Sequence, residues 1–269
     1  MFYPAASDWY TRWQLQKELA QYNEVTRGEA ADYSEMWAAA EDYNRRLAEQ
    51  ENQFAVSEEE MEEISGLLNP MGIGMMGYID IQKISVHLPI YQGTEESALQ
   101  AGAGWWIGTS LPTGGESTHC VLTAHTGLVK AKMFTDLDQL EVGDVFSLTV
   151  LDRVLTYQVD QVLITEPDDV DPLLIERGKD YCTLYTCYPY GVNTHRLLVR
   201  GVRIPTPETE EEESAAVAEQ ESSWWIPAVA GAVVAIAAGA AVYGRSRRRR
   251  KTESRSTKME TEKKEGNGR

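Results

Sequence analysis

The sequence holds few of the residues that metal and cofactor sites usually require. It has three cysteines and four histidines among 269 residues, and it contains no internal repeat. The one group of neighbouring carboxylates with a candidate role is Asp168, Asp169 and Asp171, because hard oxygen ligands suit calcium. We interpret these three side chains as solvated, and we therefore expect neither a metal nor a cofactor.

Positive charge is also scarce in most of the chain. The sequence has 25 Lys and Arg against 42 Asp and Glu, a formal net charge of −17. After Tyr243 there are 11 basic and 4 acidic residues, so that segment carries +7 and the remainder carries −24. An acidic region of this kind is repelled by nucleic acid and by anionic lipid, which excludes nucleic acid as a partner.

A secretion signal is missing at the N-terminus. The first four residues lead directly into a helical pattern, without the basic and apolar regions of a signal peptide. A large soluble domain needs such a segment to cross a membrane, so we expect the true start of the protein to lie upstream of Met1. An in-frame stop codon immediately before the Met1 codon would exclude this expectation.

A long apolar run lies near the C-terminus. Residues 224–243 carry no charge, and 20 helical residues span about 30 Å, the thickness of the hydrocarbon core of a bilayer. Trp224 and Trp225 suit the membrane interface, and the basic segment that follows suits the cytoplasmic side. We expect a transmembrane helix at 224–243, a cytoplasmic tail at 244–269 and an extracellular location for everything before them. A buried core helix is the alternative.

Periodicity divides the rest of the chain. Residues 1–50 have apolar side chains at spacings of three and four, which predicts a helical extension, with Gly28 separating two helices. Residues 51–76 are expected to form a lid-like region that begins as a polar loop or a short, exposed helix. From 77 to 204, strand-like runs alternate with Gly, Pro and Asp turns, which indicates a closed or nearly closed β-barrel. A flexible acidic linker is expected at 205–223.

Two strand ends carry reactive side chains. His125 ends the run that begins at Ser117, and Cys187 ends the run that begins at Thr183. Arg196 follows nine residues after the thiol. A thiol nucleophile, an imidazole that carries protons and a guanidinium that stabilises an oxyanion are the parts of a thiol acyl-transfer enzyme.

The residues around these positions resemble a known family. They read TLYTC at 183–187 and PYGVNTHRLLVRG at 189–201. Upstream, and in the family's order, come MMGYIDI at 75–81, LPIYQGT at 88–94, SLP at 110–112 with GG at 114–115, and FTDL at 134–137. Together these motifs resemble the class C sortases, the pilus-assembling kind, from about residue 10 to residue 203.

The resemblance implies both a fold and an activity. The fold is an eight-stranded sortase-type barrel with the N-terminal helical extension packed on its outside. The activity is that of a membrane-anchored cysteine transpeptidase on the outer face of a Gram-positive bacterium, whose partners are pilin precursors with C-terminal sorting signals. Cys187 attacks the Thr carbonyl of a Leu-Pro-x-Thr-Gly-like signal, Arg196 stabilises the oxyanion, and His125 protonates the departing Gly amine. A pilin Lys amine then resolves the thioacyl intermediate.

Other functions share this chemistry or this fold. A sortase that anchors surface proteins to cell-wall peptide differs only in the acceptor amine, and a cysteine hydrolase uses water as the acceptor. A non-catalytic assembly protein with a sortase-like barrel would be favoured by loss of a catalytic residue, and none of the three is lost.

Two of the candidate residues also have plainer interpretations. Cys187 could be a buried, inert cysteine, which is the usual role of a single Cys in a strand. Arg196 could form a surface ion pair, although Arg200 and Arg203 are also available for that role. The family pattern favours the catalytic interpretation of both residues.

The other histidines have separate interpretations. His87 lies in strand alternation and is interpreted as structural, and His195 is interpreted as shaping the loop beside Arg196. His119 shares a strand face with His125 and is the second candidate for the catalytic imidazole.

Three features depart from the family pattern. Tyr188 follows the nucleophile where the family usually has Thr, and Thr126 follows His125 where the family usually has Arg. The Asp-Pro-aromatic motif of the class C lid is absent. Phe54 is the only aromatic residue of the segment 51–66, and the hypothesis is that it caps the thiol.

Two further cysteines hold equivalent positions. Cys120 lies five residues before His125, and Cys182 lies five residues before Cys187. If the two strands are neighbours, these cysteines are level with each other on the opposite face. An extracellular compartment permits a disulfide between them, and two separate buried thiols are the alternative.

Overall fold

A computed structural model describes residues 3–28, 32–127 and 132–207, with side chains from residue 15 onward. The predicted transmembrane helix at 224–243, the predicted tail at 244–269 and nearly all of the predicted linker lie outside these residues. Within them, no helix has both the length and the hydropathy that crossing a bilayer requires.

Eight strands close into a barrel. Around the barrel they follow the order β1-β2-β3-β4-β7-β8-β6-β5. Their bounds are β1 Met75–Ile81, β2 Val86–Gln92, β3 Ala103–Trp105, β4 Thr118–Thr123, β5 Val145–Val150, β6 Arg153–Thr165, β7 Asp180–Tyr188 and β8 His195–Ile204. The eight-stranded barrel expected from the resemblance is confirmed.

Strand direction determines where the reactive residues lie. β4 and β7 are parallel neighbours, whereas β8 is antiparallel both to β7 and to β6. The C-terminal ends of β4, β7 and β6 therefore meet the N-terminal end of β8 at one rim of the barrel. We call this the catalytic rim.

Alternation along β4 and β7 separates the barrel core from an outer apolar layer. Cys120 and Leu122 lie opposite Cys182 and Leu184, and all four belong to the main buried cluster. The residues between them lie on the outer face, because successive side chains of a strand point to opposite sides. A second cluster, here called the outer cluster, covers this face: Val121, Leu173, Tyr185 and Leu198, with Phe54, Trp106 and Leu163 packed on it.

In the described part of the chain, four α-helices accompany the barrel: α1 Tyr3–Thr26, α2 Ser34–Leu47, α3 Glu58–Gly66 and α4 Glu96–Ala101. The buried face of α2 has residues at three- and four-residue spacing and joins the main buried cluster: Trp37, Ala40, Tyr43 and Leu47. This spacing is the period of one helix face. The amphipathic pattern of the N-terminal region thus packs against the barrel.

Polar contacts fix the helices at the barrel end away from the catalytic rim. Trp37 of α2 donates its indole N–H to Asp152, just before β6, at 2.7 Å. Asn44 donates to the carbonyl of Leu111 at 3.0 Å and accepts from the N–H of the same residue at 2.7 Å. In α1, the hydroxyl of Tyr22 donates to the carbonyl of Met76 at 2.6 Å.

The segment before β1 contains a short helix, α3. Its first turn is a capping box, in which Ser57 Oγ accepts from the N–H of Glu60 at 3.2 Å and the Glu60 carboxylate accepts from the N–H of Ser57 at 2.8 Å. This arrangement satisfies two backbone donors at the helix start. Residues 51–57 precede it as a loop with a turn, in which the N–H of Ala55 donates to the carbonyl of Asn52 at 3.1 Å.

Candidate active site

The three predicted catalytic residues share one level of the catalytic rim. Across β4 and β7, Thr123 pairs with Tyr185. Two residues further on, the same offset places His125 level with Cys187. Across β7 and β8, Cys187 pairs directly with Arg196. The structure thus brings the predicted imidazole, thiol and guanidinium to neighbouring strand ends.

Two hydrogen bonds extend the pairing of β4 and β7 to the site. The N–H of Ala124 donates to the carbonyl of Tyr185 at 3.3 Å. The hydroxyl of Thr186, which is buried, donates to the carbonyl of Ala124 at 2.7 Å. The residue before His125 is therefore held against the residue before Cys187, and the spacing of the two strand ends is set by a short polar bridge.

An apolar floor adjoins this row of residues. Two residues before Cys187 on β7, Tyr185 pairs with Leu198 of β8, and Leu198 pairs with Leu163 of β6. The ring of Trp106 meets Tyr185 edge to face, with 5.0 Å between ring centroids. Because these residues belong to the outer cluster, the row borders an apolar layer in which Tyr185 and Leu198 are buried.

Arg196 keeps a positive charge beside the half-buried thiol of Cys187. Its Nη1 donates to the carbonyl of Asn193 at 3.1 Å and to its neighbour's carbonyl, that of His195, at 2.9 Å. Arg196 forms no ion pair within the part of the chain that the structure describes. Burial raises the pKa of Tyr185, and the adjacent Arg196 guanidinium partly opposes that rise. An uncompensated guanidinium of this kind can stabilise an oxyanion.

His125 has one carboxylate close by. Glu96 at the start of α4 places Oε2 at 3.8 Å from Nε2 of His125. That nitrogen is shielded from solvent and has no hydrogen-bond partner among the described residues. The sequence analysis did not identify Glu96, because it lies far from His125 along the chain and within a stretch of exposed polar residues.

The loop between β7 and β8 contacts the turn that follows His125. A Cβ on Gly127, which has a φ of +78°, would lie 2.9 Å from the ring of Tyr190. The close approach and the positive φ both favour glycine at this position. Like Glu96, Tyr190 is a residue near the site that the sequence analysis did not single out. Thr126 lies in the same turn as Gly127.

His119 is built into the structure by both ring nitrogens. Nδ1 lies 2.9 Å from the carbonyl of Leu174 and must donate to it, so Nε2 accepts from the hydroxyl of Thr183 at 2.7 Å. Burial lowers the pKa of His119 to about 4. A ring that stays neutral and has both nitrogens occupied leaves no atom for a substrate.

The remaining two histidines have carboxylate neighbours. Nδ1 of His87 hydrogen-bonds Asp80 on β1, and the ring meets Tyr78 with 5.1 Å between centroids. His195 at the start of β8 lies 3.5 Å from Glu166 through Nε2. These contacts agree with a structural role for His87 and with a loop-shaping role for His195.

Arg200 and Arg203 take structural positions. Arg200 forms hydrogen bonds of 3.1 and 2.8 Å to Asp160 and stacks on Tyr181 at 4.1 Å. Arg203 lies over the ring of Tyr157 at 5.6 Å. Of these three β8 arginines, Arg196 is therefore the one at the level of Cys187.

Phe54 packs on the outer cluster, near the site. Its neighbour Gln53 is buried and donates to the carbonyls of Gly108 at 3.2 Å and Leu173 at 3.4 Å. Gln53 also accepts from the N–H of Ile175 at 3.0 Å. These bonds hold the segment 51–57 beside the floor of the site. The hypothesis that Phe54 caps the thiol stays a prediction.

All three cysteines are free thiols in this structure. Cys120 and Cys182 are level across β4 and β7 inside the barrel, as expected if the two strands are neighbours. Burial raises the pKa of Cys182 well above its usual value. Tyr188, beside the nucleophile, packs partly against the main buried cluster.

Apart from the row, the described residues offer a polar cleft and no metal-binding group. Among the described residues, no three His, Cys, Asp or Glu side chains form a group that could hold a metal ion. A polar cleft of about 690 Å³ is lined by Asn44, Arg45, Gly114 and Thr118, among others. Because β4 begins at Thr118, this cleft lies at the barrel end opposite the catalytic rim.

Comparisons with known proteins identify similar sequences and structures. A family model of the sortase domain matches residues 79–204. Sortase D of Bacillus subtilis (strain 168) is 30% identical over 131 residues, which are 48% of this chain and 63% of that protein. The chain thus spans slightly less than two thirds of the length of this curated relative.

Solved structures cover more of the chain. Sortase C1 of Streptococcus agalactiae is 43% identical with a TM-score of 0.69, covering 71% of this chain and 100% of that one. A sortase C of Streptococcus pneumoniae, described with pilin substrates, is 44% identical with a TM-score of 0.62, covering 71% and 97%. The chain belongs to the sortase family of cysteine transpeptidases, in its class C.

Proposed function

We propose that this chain is a membrane-anchored transpeptidase that polymerises pilins. It cleaves a Leu-Pro-x-Thr-Gly-like sorting signal and joins the Thr carbonyl to a pilin Lys amine. The observation that carries the proposal is the row at the catalytic rim, in which Cys187 pairs with Arg196 and is level with His125. Covalent catalysis of acyl transfer needs these three groups within one site.

The first half-reaction forms a thioester. The thiolate of Cys187 attacks the Thr carbonyl carbon, and the oxyanion that develops is stabilised by Arg196. As the C–N bond breaks, the imidazolium of His125 gives its proton to the departing Gly amine. The products are an acyl-enzyme on the Cys187 sulfur and a free C-terminal fragment.

The second half-reaction transfers the acyl group to an amine. A neutral Lys amine of the next pilin attacks the thioester carbonyl, and the neutral imidazole of His125 takes up the proton that the amine loses. Collapse of the second tetrahedral intermediate expels the Cys187 thiolate and leaves an isopeptide bond. The enzyme returns to the thiolate–imidazolium state in which it began.

The surroundings of the row suit both substrates. Leu163, which packs on the outer cluster and is only half-buried, offers an apolar contact for a sorting signal. Two exposed carboxylates flank the row, Glu96 beside His125 and Glu166 beside His195. Negative charge at these positions attracts a cationic Lys side chain, which favours an amine acceptor over water.

The proposed partners and location follow from the relatives and from the sequence. The pneumococcal sortase C, which is 44% identical, has pilin substrates. The apolar run at 224–243 and the basic tail after it support a C-terminal membrane anchor with the barrel outside the cell. Anchoring of surface proteins to cell-wall peptide is the second candidate, because it uses the same row and a different amine.

The test is to incubate the full-length protein in detergent with a pilin precursor. A ladder of covalent multimers that survives boiling in denaturant is expected, and the matched variant Cys187→Ala should give none. Wall anchoring would be favoured if an amine-bearing peptide were added to the reaction and the pilin formed a single product joined to that peptide, without multimers. Equal ladders from the variant and the wild type would contradict the proposal.

A further inference from the structure

One residue on β6 occupies the same row as the proposed catalytic residues. Thr165, the last residue of β6, pairs directly with Arg196 across β6 and β8. Arg196 pairs on its other side with Cys187. The row therefore runs across four adjacent strands, with His125 at one end and Thr165 at the other.

The hydroxyl of Thr165 lacks a hydrogen-bond partner in the described part of the chain. Its Oγ1 is shielded from solvent and has no hydrogen-bond partner among the described residues. Three side-chain atoms in the described part of the chain share this property, and another of them is Nε2 of His125. A buried polar atom without a partner costs stability, so its retention calls for an explanation.

Backbone structure alone does not account for the hydroxyl. Threonine suits a strand because it is branched at Cβ, and valine has the same shape without the oxygen. His195, one residue before Arg196 on β8, already lies against Thr194 at 2.9 Å and Glu166 at 3.5 Å. The oxygen of Thr165 is therefore available to a partner that this state of the protein does not place beside it.

Arg196 is the neighbour that can supply that partner. Its Nη1 is shared between two backbone carbonyls, those of Asn193 and His195. A guanidinium has five N–H donors in a planar fork. Side chains directly opposite each other on antiparallel strands have Cβ atoms about 4.5–5.5 Å apart, so a rotation of the Arg196 side chain brings its fork to Thr165.

We propose that Thr165 is a positioning residue for Arg196. When substrate binds, the guanidinium leaves the carbonyl of Asn193 and donates to Oγ1 of Thr165, which turns its other N–H groups toward the oxyanion at Cys187. Thr165 itself does not touch the substrate. This inference rests on the proposed function, because it assumes that Arg196 stabilises the oxyanion.

The test compares Thr165→Val with Thr165→Ser in the full-length protein, using cleavage of a sorting-signal peptide. Thr165→Val removes one hydrogen bond to a charged group, so we expect it to lower kcat by about ten- to a hundredfold. KM should stay within about twofold. Thr165→Ser keeps the oxygen and should restore most of kcat. Since the hydroxyl has no partner in the free enzyme, the Tm of Thr165→Val should equal or exceed that of the wild type.

Thr156→Val provides a matched control on the same strand. Its hydroxyl is buried and donates to Thr206 Oγ1 at 3.1 Å, so its loss should lower Tm and leave kcat unchanged. A wild-type kcat in Thr165→Val overturns the inference. A fall in both kcat and Tm of Thr165→Val overturns it as well, because that pattern indicates a structural role.

The same assay separates this inference from the proposed function. Wild-type turnover that depends on Cys187, together with an unaffected Thr165→Val, rejects only the role of Thr165. Wild-type turnover that is absent, or that persists in Cys187→Ala, rejects the proposed function and the inference with it.

Discussion

Among individual residues, Glu96 is the charged side chain that lies next to His125. The carboxylate of Glu96 lies 3.8 Å from Nε2 of His125, and opposite charges at this distance attract each other while the ring carries the proton for the leaving amine. Glu96 is mostly exposed, so water and salt weaken this effect. It is a supporting interaction and not a fourth catalytic group.

Glu96→Gln should lower kcat/KM by about two- to fivefold at low ionic strength, which corresponds to the modest worth of an exposed ion pair. The difference from wild type should narrow in about 1 M salt, because salt screens the pair. Steady-state peptide cleavage at both salt concentrations measures this. Glu95→Gln, one residue away, is the control, and an equal loss in that variant would contradict a specific role for Glu96.

His119 gives the molecule a pH-dependent stability. Burial lowers the pKa of His119 to about 4, whereas in the unfolded chain it is about 6.5. Between these values the unfolded chain binds a proton that the folded chain does not. The contribution of His119 is therefore complete above about pH 6.5 and is lost as the pH falls toward about 4, by up to about 3 kcal/mol.

His119→Gln should remove this part of the pH dependence. Urea unfolding from about pH 7 down to about pH 4 should show a smaller fall in the free energy of unfolding for this variant than for the wild type. Equal slopes for wild type and His119→Gln would show that His119 titrates normally in the folded protein.

At the scale of secondary structure, the pair β4 and β7 organises the molecule. Their parallel register places Cys120 opposite Cys182 inside the barrel, and it places the two reactive residues level at the rim. Both inner cysteines are buried free thiols. The same pairing therefore supplies one partly accessible thiol outside the barrel and two inaccessible ones within it.

Thiol labelling should distinguish these environments. We expect one label per native molecule, on Cys187, and three labels after denaturation without reductant. Burial shields Cys120 and Cys182 from the reagent in the native protein, which explains the difference between the two counts. Intact-mass spectrometry measures both. A single label after denaturation would demonstrate a disulfide between Cys120 and Cys182.

The segment 51–57 is the element closest to a lid. Gln53 ties it to the loops that carry Gly108 and Leu173, and Phe54 packs on the outer cluster that includes Tyr185. Because Tyr185 shares a strand face with Cys187, Phe54 packs on the same face of the barrel as the thiol.

If Phe54 shields the thiol, Phe54→Ala should increase the rate at which Cys187 reacts with a small alkylating reagent. The reason is that removal of the ring opens space on the outer cluster. Val56→Ala is the control, since Val56 lies in the same segment but packs against the main buried cluster. An alkylation rate that Phe54→Ala leaves unchanged would end the lid hypothesis.

At the scale of the whole molecule, the sequence was enough to predict the barrel and the positions of His125, Cys187 and Arg196. It was not enough to predict the residues around them. His125 and Cys187 end apolar strand runs, so their places at strand ends follow from pattern alone. The resemblance added the strand count and the role of Arg196. Each of these inferences depends on local sequence or on a motif.

The positions of Glu96 and Thr165 beside the row depend instead on contacts between segments that are distant in the sequence. Thr165 meets Arg196 only because β6 pairs with β8, and Glu96 meets His125 only because α4 lies near the end of β4. Contacts between distant segments carry no periodicity in the chain. The predicted membrane helix at 224–243 is a different case, because it lies outside the described residues and stays a prediction.

The central claim is that Cys187 carries the acyl group, and mass spectrometry of the full-length protein tests it most directly. Incubation with a sorting-signal peptide should add the mass of the N-terminal cleavage fragment to Cys187, and hydroxylamine should release that fragment as a hydroxamate. Cys187→Ala should show neither product, while Cys120→Ala and Cys182→Ala should form the adduct. An adduct on another residue, or hydroxamate release by Cys187→Ala, would contradict the account.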